Sequence, residues 1–286
     1  MISPSLKDKV KRSILQKISS DIEILDYIPV SGGCISQTFK IITSDRDLFL
    51  KFNDAFFGKM FACEAKGIDL LRVNADNSIF VPQIVDVADD YLLMDFIDES
   101  PASNNFWDSF GYGLSSIHRN YNSHFGLDHD NYIGSLIQEN KMYASWPEFF
   151  INQRIIPQIK QGNFSSDLKI FDNLFIRIES LFPVEKPSLL HGDLWNGNYL
   201  ILNGDPCLID PSVYFGCREM DIAMTKLFGG FSDRFYDAYN DSYPLEYEWR
   251  DRVDLCNLYP LLVHANLFGG SYYNRVKEIV QYFTSV

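Results

Sequence analysis

The sequence predicts an α+β protein of two lobes, a small antiparallel β-sheet lobe followed by a mainly helical lobe. Three observations predict it. Short β-type runs crowd the first third and are interrupted by one long helical pattern. The texture turns helical after Asp98-Glu99-Ser100-Pro101, and a single strong hairpin signal lies deep inside the helical part. The 286 residues suit about two such units. A chain of this size buries roughly three quarters of its unfolded surface, so it needs no disulfide or metal staples.

Ser3 and Pro4 read as an N-cap and a first helical position. Leu6, Val10, Ile14 and Ile18 then recur every four residues, with Lys7, Lys9, Lys11 and Arg12 on the wet face. Strands are expected over Glu23–Val30, Gln37–Thr43, Asp47–Asn53 and Tyr91–Ile97, with a helix from about Ala55 to Val73. Tyr199–Leu202, the turn Asn203-Gly204 and Cys207–Asp210 form the hairpin, because Asn-Gly accepts the positive φ angles of a type I′ turn. The lobes divide at 1–97 and 98–286, with a connector near residues 95–101.

Charge and cysteine usage exclude several classes. With 25 Lys+Arg against 38 Asp+Glu the net charge is −13, which argues against a nucleic-acid partner, since that would need a basic footprint. The five cysteines (Cys34, Cys63, Cys207, Cys217, Cys256) are widely spaced without a C-x-x-C pair, a pattern of reducing compartments rather than of disulfide frameworks or zinc sites. The N-terminus has no apolar signal core. The longest uncharged stretch, Leu255 to Asn274, carries Asn257, Pro260, His264, Asn266 and Gly269-Gly270, and reads as buried helix and turn rather than a membrane span. A cytoplasmic protein with no membrane partner is expected, and a monomer.

The chemistry concentrates in His191-Gly192-Asp193-Leu194-Trp195-Asn196-Gly197-Asn198 and in Ile209-Asp210-Pro211. Asp193 and Asn198 stand five apart, the interval between base and metal-binding Asn in the kinase pattern H-R-D-L-x-x-x-N. A hairpin running out and back returns Asp210 close to Asn198. Mg²⁺ takes one or two such oxygen ligands beside phosphate oxygens and waters. Phosphoryl transfer needs metal charge, phosphate alignment and a group that orients the attacking hydroxyl. Asp193 suits the last role, and a positioned carboxylate contributes ~10²–10⁴-fold in rate. Read as mere turn residues, these positions leave the interval and the downstream Asp unexplained.

The β-rich lobe offers a nucleotide clamp. Phe49-Leu50-Lys51-Phe52 is an alternating strand bearing one Lys, and Glu64 follows thirteen residues on. Without the Asp193–Asp210 unit, a surface Lys and a surface Glu would be the simpler reading. Ser31-Gly32-Gly33-Cys34-Ile35-Ser36-Gln37 is a glycine-containing turn whose N–H groups can cover phosphates. Gly32, Gly33 and Ser36 are its candidate contacts. The backbone of Asp95–Ile97 is placed for an adenine edge; Met94 either packs on the base or belongs to the core.

These segments together resemble the fructosamine kinase (ketosamine-3-kinase) family, a branch of the aminoglycoside-phosphotransferase-like and protein-kinase-like kinases. The resemblance runs through Gly32-Gly33, Ser36-Gln37, Lys51, Glu64, Phe125-Gly126, Asp130-Asn131-Tyr132-Ile133-Gly134, Trp146 to Arg154, the His191–Asn198 block, Ile209-Asp210-Pro211, Tyr214 to Asp221 and Leu227-Phe228-Gly229-Gly230-Phe231. It implies a bilobal protein-kinase-like fold using ATP and Mg²⁺ to phosphorylate the 3-hydroxyl of a small-molecule or protein-bound ketosamine, in deglycation repair. By the same resemblance Asp193 is the catalytic base, Asn198 and Asp210 bind Mg²⁺, and Lys51 with Glu64 position the phosphates. Trp195 lines the sugar side, Phe125, Asn131 and Tyr132 wall the acceptor pocket or pack the lobe, and His191 and Asp221 support the loop. Asn196 and Cys217 stand where other members often carry other residues. Cys34 lies in the phosphate turn, where some members also have a cysteine. Its oxidation is expected to inhibit, by distorting the turn or by cross-linking two chains.

Other readings fit less of the sequence. A metal-dependent hydrolase built from His191, Asp193, Asp210 and one of His118, His124 or His129 lacks any H-x-x-x-H spacing and leaves Lys51 unexplained. A pseudokinase-like binding module would have lost the base, the metal ligand or the Lys. A related kinase acting on an aminoglycoside, choline or another amino alcohol shares the same machinery, and charge does not choose between acceptors.

Overall fold

The computed structural model describes residues 2–30, 36–53, 59–162 and 168–285. Helix α1 (Pro4–Lys17) begins as the sequence predicts: Ser3 Oγ accepts the Leu6 N–H at 3.2 Å, and Leu6, Val10 and Ile14 turn inward. A cap of this kind is worth about 1 kcal/mol. Five strands follow, β1 (Ile24–Pro29), β2 (Gln37–Thr43), β3 (Leu48–Phe52), β4 (Ile84–Val87) and β5 (Tyr91–Asp95). They form one sheet in the order β1-β2-β3-β5-β4, each neighbouring pair antiparallel. Strand β4 is not anticipated by the sequence, because four residues interrupted by Asp86 carry no clear alternation. Asp86 is the reason it sits there. Its carboxylate accepts from Ser13 Oγ on α1 and from Tyr91 OH on β5, each at 2.5 Å.

The pleat of β3 positions the first functional side chain. Leu48, Leu50 and Phe52 are buried in a core shared with Val10 and Ile14 of α1. Alternation therefore sends Phe49 and Lys51 to the opposite face. Helix α2 (Met60–Asn74) covers that face, packing Phe61, Ala65 and Ile68 on Leu92 and Met94 of β5. The expected start at Ala55 falls outside the described residues; the described helix opens at Met60.

The rest is mainly helical around two cores. In one, α3 (Phe106–His118) lies on α8 (Asp233–Ser242) through Phe110, Leu114, Ile117, Phe235 and Tyr239. The two backbones come so close that a Cβ at Gly111 would lie 2.5 Å from Phe235 O. In the other, α4 (Trp146–Phe149), a π-helical turn (Phe150–Ile155), α5 (Ile156–Gln161), α6 (Leu168–Leu181), α7 (Glu219–Leu227), α9 (Val253–Cys256), α10 (Leu258–Phe268) and α11 (Tyr272–Ser285) contribute Trp146, Phe149, Phe150, Phe171 and Val280 among others. The uncharged stretch holds the mostly buried helix α10, ended by Gly269 at φ 67°, between the end of α9 and the start of α11. Among the described residues no helix is long and apolar enough to cross a membrane.

Three short ladders complete the helical half: β6 (Asn131–Ile133) with β7 (Leu136–Gln138), β8 (Ser188–Leu190) with β11 (Tyr214–Gly216), and β9 (Tyr199–Leu202) with β10 (Asp205–Leu208). The last is the anticipated hairpin, and Asn203 (φ 52°) and Gly204 (φ 91°) both take the positive φ of a type I′ turn. Its second strand needs correction: it runs Asp205–Leu208 rather than Cys207–Asp210. Asp205 pairs with Leu202 across the two-residue turn, and Asp210 at φ 50° has left the extended conformation. The other two ladders have three-residue strands, too short for periodicity to reveal.

Candidate active site

Strand β8 delivers the chain to His191, where the loop of residues 191–198 begins. Asp221, in the first turn of α7 and 1% exposed, holds its start: Oδ2 accepts the His191 N–H at 2.7 Å and Oδ1 the Gly192 N–H at 2.9 Å. His118 Nε2 lies 3.1 Å from Asp221 Oδ2, and Tyr239 OH lies 2.7 Å from His118 Nδ1. Burial pushes the Asp221 carboxyl up, but the His118 contact and the backbone N–H groups outweigh it and keep the pKa below the usual range. Gly192, at φ 82°, is required here because a Cβ would lie 2.0 Å from Ser212 O.

His191 joins this loop to the one that follows the hairpin. Its Nδ1 receives the Asp193 N–H at 3.3 Å, so the ring proton sits on Nε2, which donates to Ile209 O at 3.0 Å. Burial lowers its pKa and keeps the ring neutral, as that role demands. The return of the hairpin is then fixed by the Ile209 N–H donating to Asn198 O at 3.1 Å. One residue further stands Asp210.

Around this junction the predicted residues converge. Asn198 Nδ2 donates to Asp193 O at 2.8 Å and to Asp193 Oδ2 at 2.9 Å. Burial pushes the Asp193 carboxyl up to about 7, against the opposing pull of the Asn198 donor. Lys51 Nζ lies 2.9 and 3.1 Å from the Glu64 oxygens and 3.2 Å from Asp210 Oδ1. Burial pulls the Lys51 pKa down, yet attraction by Glu64 and Asp210 raises it on balance and keeps the ammonium charged. Burial likewise pushes Glu64 above the usual carboxylate range.

The donor set fits Mg²⁺. With Nδ2 committed to Asp193, the amide of Asn198 turns Oδ1 away from it, and Asp210 adds a carboxylate on the adjoining loop. Two hard oxygen donors are what this ion takes from protein when phosphates and waters supply the rest. Among the described residues no group of three or more His, Cys, Asp or Glu could hold a metal ion. The hydrolase alternative fails on placement: His118 is buried on Asp221, His124 contacts Ser123, and His129 pairs with Asp128.

The remaining candidates divide. Trp195 is half-buried beside the loop, its indole lying where a Cβ on Gly197 would stand (2.4 Å from the ring) and edge-to-face on Phe228 at 5.6 Å. For Phe125 and Asn131, expected either to wall the pocket or to pack the lobe, the contacts are those of packing. Phe125 is 4% exposed against Trp146, and Asn131 is equally buried with its amide donating to Val213 O at 2.8 Å. Tyr132 is half-buried in β6. Met94 lies in the core with Phe61 and Leu92. The N–H groups of Asp95 and Phe96 already donate to Gln83 O and Asp47 O, which leaves the strand exit at Ile97 as the nearer candidate for a base edge. Ser36 is buried with its Oγ unpartnered among the described residues. Gly32, Gly33 and Cys34 lie outside the described residues, and with them the redox expectation. The sequence reading missed His118 and Tyr239 as supports of Asp221. Their signal was the placement of His118 on the inner face of α3, one residue after Ile117.

A lysine-bearing antiparallel sheet joined to a helical half with such a loop defines a protein-kinase-like phosphotransferase. The chain shares this fold with aminoglycoside phosphotransferase APH(4)-Ia, solved as a thermostable mutant in ternary complex with AMP-PNP and hygromycin B. The TM-score is 0.62 at 16% identity, covering 96% of this chain and 98% of that one. The family model for fructosamine kinase matches residues 6–285, and the chain belongs to that family. It is 36% identical to a Vibrio parahaemolyticus protein named "Probable ketoamine kinase", over 95% of this chain and 99% of the relative. It also overlays on a Thermobifida fusca YX-ER1 crystal structure described as that of a "putative fructosamine-3-kinase". There the TM-score is 0.88 at 31% identity, with 98% of this chain and 99% of that chain covered.

Proposed function

We propose that this kinase transfers the γ-phosphate of ATP to the 3-hydroxyl of a ketosamine, the adduct of a sugar on an amine, and so acts in deglycation repair in the cytoplasm. The observation that carries the reading is the Asn198 amide. It holds Asp193 at 2.9 Å while its backbone carbonyl accepts from Ile209, the neighbour of Asp210. In this reading Asp193 orients the acceptor hydroxyl and takes its proton as the oxygen attacks phosphorus and ADP leaves. Lys51, steadied by Glu64, aligns the phosphates, with Gly32, Gly33 and Ser36 covering them. Ile97, with Asp95 and Met94 behind it, receives the adenine. Asn198 and Asp210 are the residues that would hold Mg²⁺, whose charge offsets the build-up on the transferring oxygens. Trp195 offers a face to the sugar, and His191 and Asp221 keep the loop in register. Residues 1–97 form the nucleotide lobe and 98–286 the acceptor lobe of a monomer.

Support for a ketosamine acceptor comes from family membership; the aminoglycoside phosphotransferase likeness is one of fold alone. The test is ATP consumption across fructosamines, ribulosamines, choline and aminoglycosides, with the phosphorylated carbon located by NMR. Turnover of a ketosamine at its 3-hydroxyl is expected. Turnover of choline or aminoglycosides alone refutes the assignment.

A further inference from the structure

Arg154, in the π-helical turn, is fully buried, and its two terminal nitrogens bond neutral groups while Nε has no hydrogen-bond partner among the described residues. Its guanidinium donates to Glu139 O at 2.5 Å, to Gln153 O at 3.0 Å and to Asn140 Oδ1 at 2.7 Å, and lies 3.9 Å from the ring centre of Tyr214. Part of this is local: Pro157 has no N–H to offer Gln153 O, and Arg154 supplies a donor instead. The Asn140 contact leads elsewhere. A guanidinium has only donors and an amide has one end of each kind, so Asn140 must turn its oxygen to Arg154 and its Nδ2 onward. That Nδ2 donates to Asn131 Oδ1 at 2.8 Å, where Gln138 Nε2 also donates at 2.8 Å. With its oxygen filled twice, Asn131 can only present Nδ2 to Val213 O, at 2.8 Å; Gln138 Nε2 reaches Ser212 O at 3.0 Å as well.

The relay therefore ends on two successive carbonyls just beyond Asp210. From the other side, the Ser212 N–H donates to His191 O at 2.8 Å, and Gly192 lies against Ser212 O. The segment carrying Asp210 is held between the candidate catalytic loop and a chain of amides that starts at one buried cation and is braced on the way by His129 O and Tyr259 OH. An arginine taken out of water with no ion pair among the described residues is costly, and an aliphatic residue would fill the same core. We propose that Arg154, acting through Asn140 and Asn131, is a positioning residue that fixes Asp210 for the metal–nucleotide complex. The inference rests on the metal role proposed for Asp210 but not on the identity of the acceptor.

The test reads metal binding rather than turnover. Mn²⁺ serves as the probe, its free concentration followed by electron paramagnetic resonance while it is titrated into the protein with ADP. Arg154→Met and Asn131→Leu are each expected to weaken Mn²⁺ binding about tenfold, as loss of an outer-shell partner does. Arg154→Lys keeps a donor and should recover part of the loss, and ADP affinity measured in EDTA should not change. The double variant should be no weaker than the worse single, because both residues act along one path. If Arg154→Met does not fold, Asn131→Leu and Asn140→Leu carry the comparison. Unchanged Mn²⁺ affinity in folded Asn131→Leu, or losses that multiply in the double variant, overturns the relay. A wild-type protein that binds ADP without any metal dependence overturns the metal role of Asp210 itself, and the relay with it.

Discussion

Lys51 Nζ stands 3.2 Å from Asp210 Oδ1 while it is also paired with Glu64, so one ammonium joins β3, α2 and the loop after β10. Two carboxylates compete for it. Glu64→Gln weakens one claim and leaves Lys51 free to bind Asp210 more closely, at the expense of the metal proposed to bind there. Initial rates measured against Mg²⁺ should show the half-saturating concentration rising by about 10–100-fold. An unaltered Mg²⁺ dependence would separate Lys51 from the metal loop.

Asp193→Asn keeps the shape and the contact with Asn198 but removes the proposed proton acceptor. Turnover should fall by about 10²–10⁴-fold. ADP binding, measured by calorimetry, should stay within a few-fold of the parent, since Lys51, Glu64 and Asp210 are untouched. Parallel loss of ADP binding would make Asp193 a structural residue instead.

The raised carboxyl of Asp193 gives two pH effects of opposite sense. A base must be ionised to work, so the rate should decline as pH falls through about 7, the value that burial sets in the ligand-free protein. Stability runs the other way. The folded chain holds this proton up to about 7 and the unfolded chain only to about 3.8, so folding stability is full below the lower value and declines as pH climbs to the higher. Asp193→Asn should therefore be more stable than the parent at pH 8, by up to a few kcal/mol, and equally stable at pH 3.5. Equal melting curves at pH 8 would contradict it.

Asp221→Asn tests the support beneath the loop. It removes a buried charge that His118 and two backbone N–H groups address together. The loss should be roughly 3–5 kcal/mol by urea unfolding, as for other broken buried pairs. A change below 1 kcal/mol would mean the loop is held by His191 and Ser212 alone.

Gly197→Ala probes the sugar face proposed for Trp195. A methyl group there meets the Trp195 ring at 2.4 Å, so the indole must move. The KM for the acceptor should rise while the KM for ATP holds. A shift confined to the ATP term would place Trp195 on the nucleotide side.

Much of this architecture was legible because it follows from local rules. Asn203-Gly204 announces its turn, β3 shows Lys51 opposite Leu50 and Phe52, and the five-residue interval fixes Asp193 against Asn198. What stayed hidden depends on contacts between distant segments. Strand β4 exists because Asp86 meets Ser13 and Tyr91, and no pattern within its own four residues reports that. Asn131 sits in a segment that resembles the family, which left pocket wall and lobe packing both open. Its amide donates to Val213 O, 82 residues away, a contact no local pattern reports. His118 was visible only as one of several histidines until α7 brought Asp221 to it.

The Asn203-Gly204 hairpin has a mechanical consequence. Its tip is bolted to the connector, with Gly204 N–H on Ser100 Oγ, Ser100 N–H on Ile201 O and Ser103 N–H on Gly204 O. Its outer strand also exchanges backbone hydrogen bonds with Phe80. The ribbon that aims Asp210 is thus the abutment on which the neighbouring half of the molecule rests. Any rocking of one half over the other must keep or break the Phe80 and Ser100–Ser103 contacts, and lengthening the ribbon by a residue would shift those contacts as well as misdirect one carboxylate.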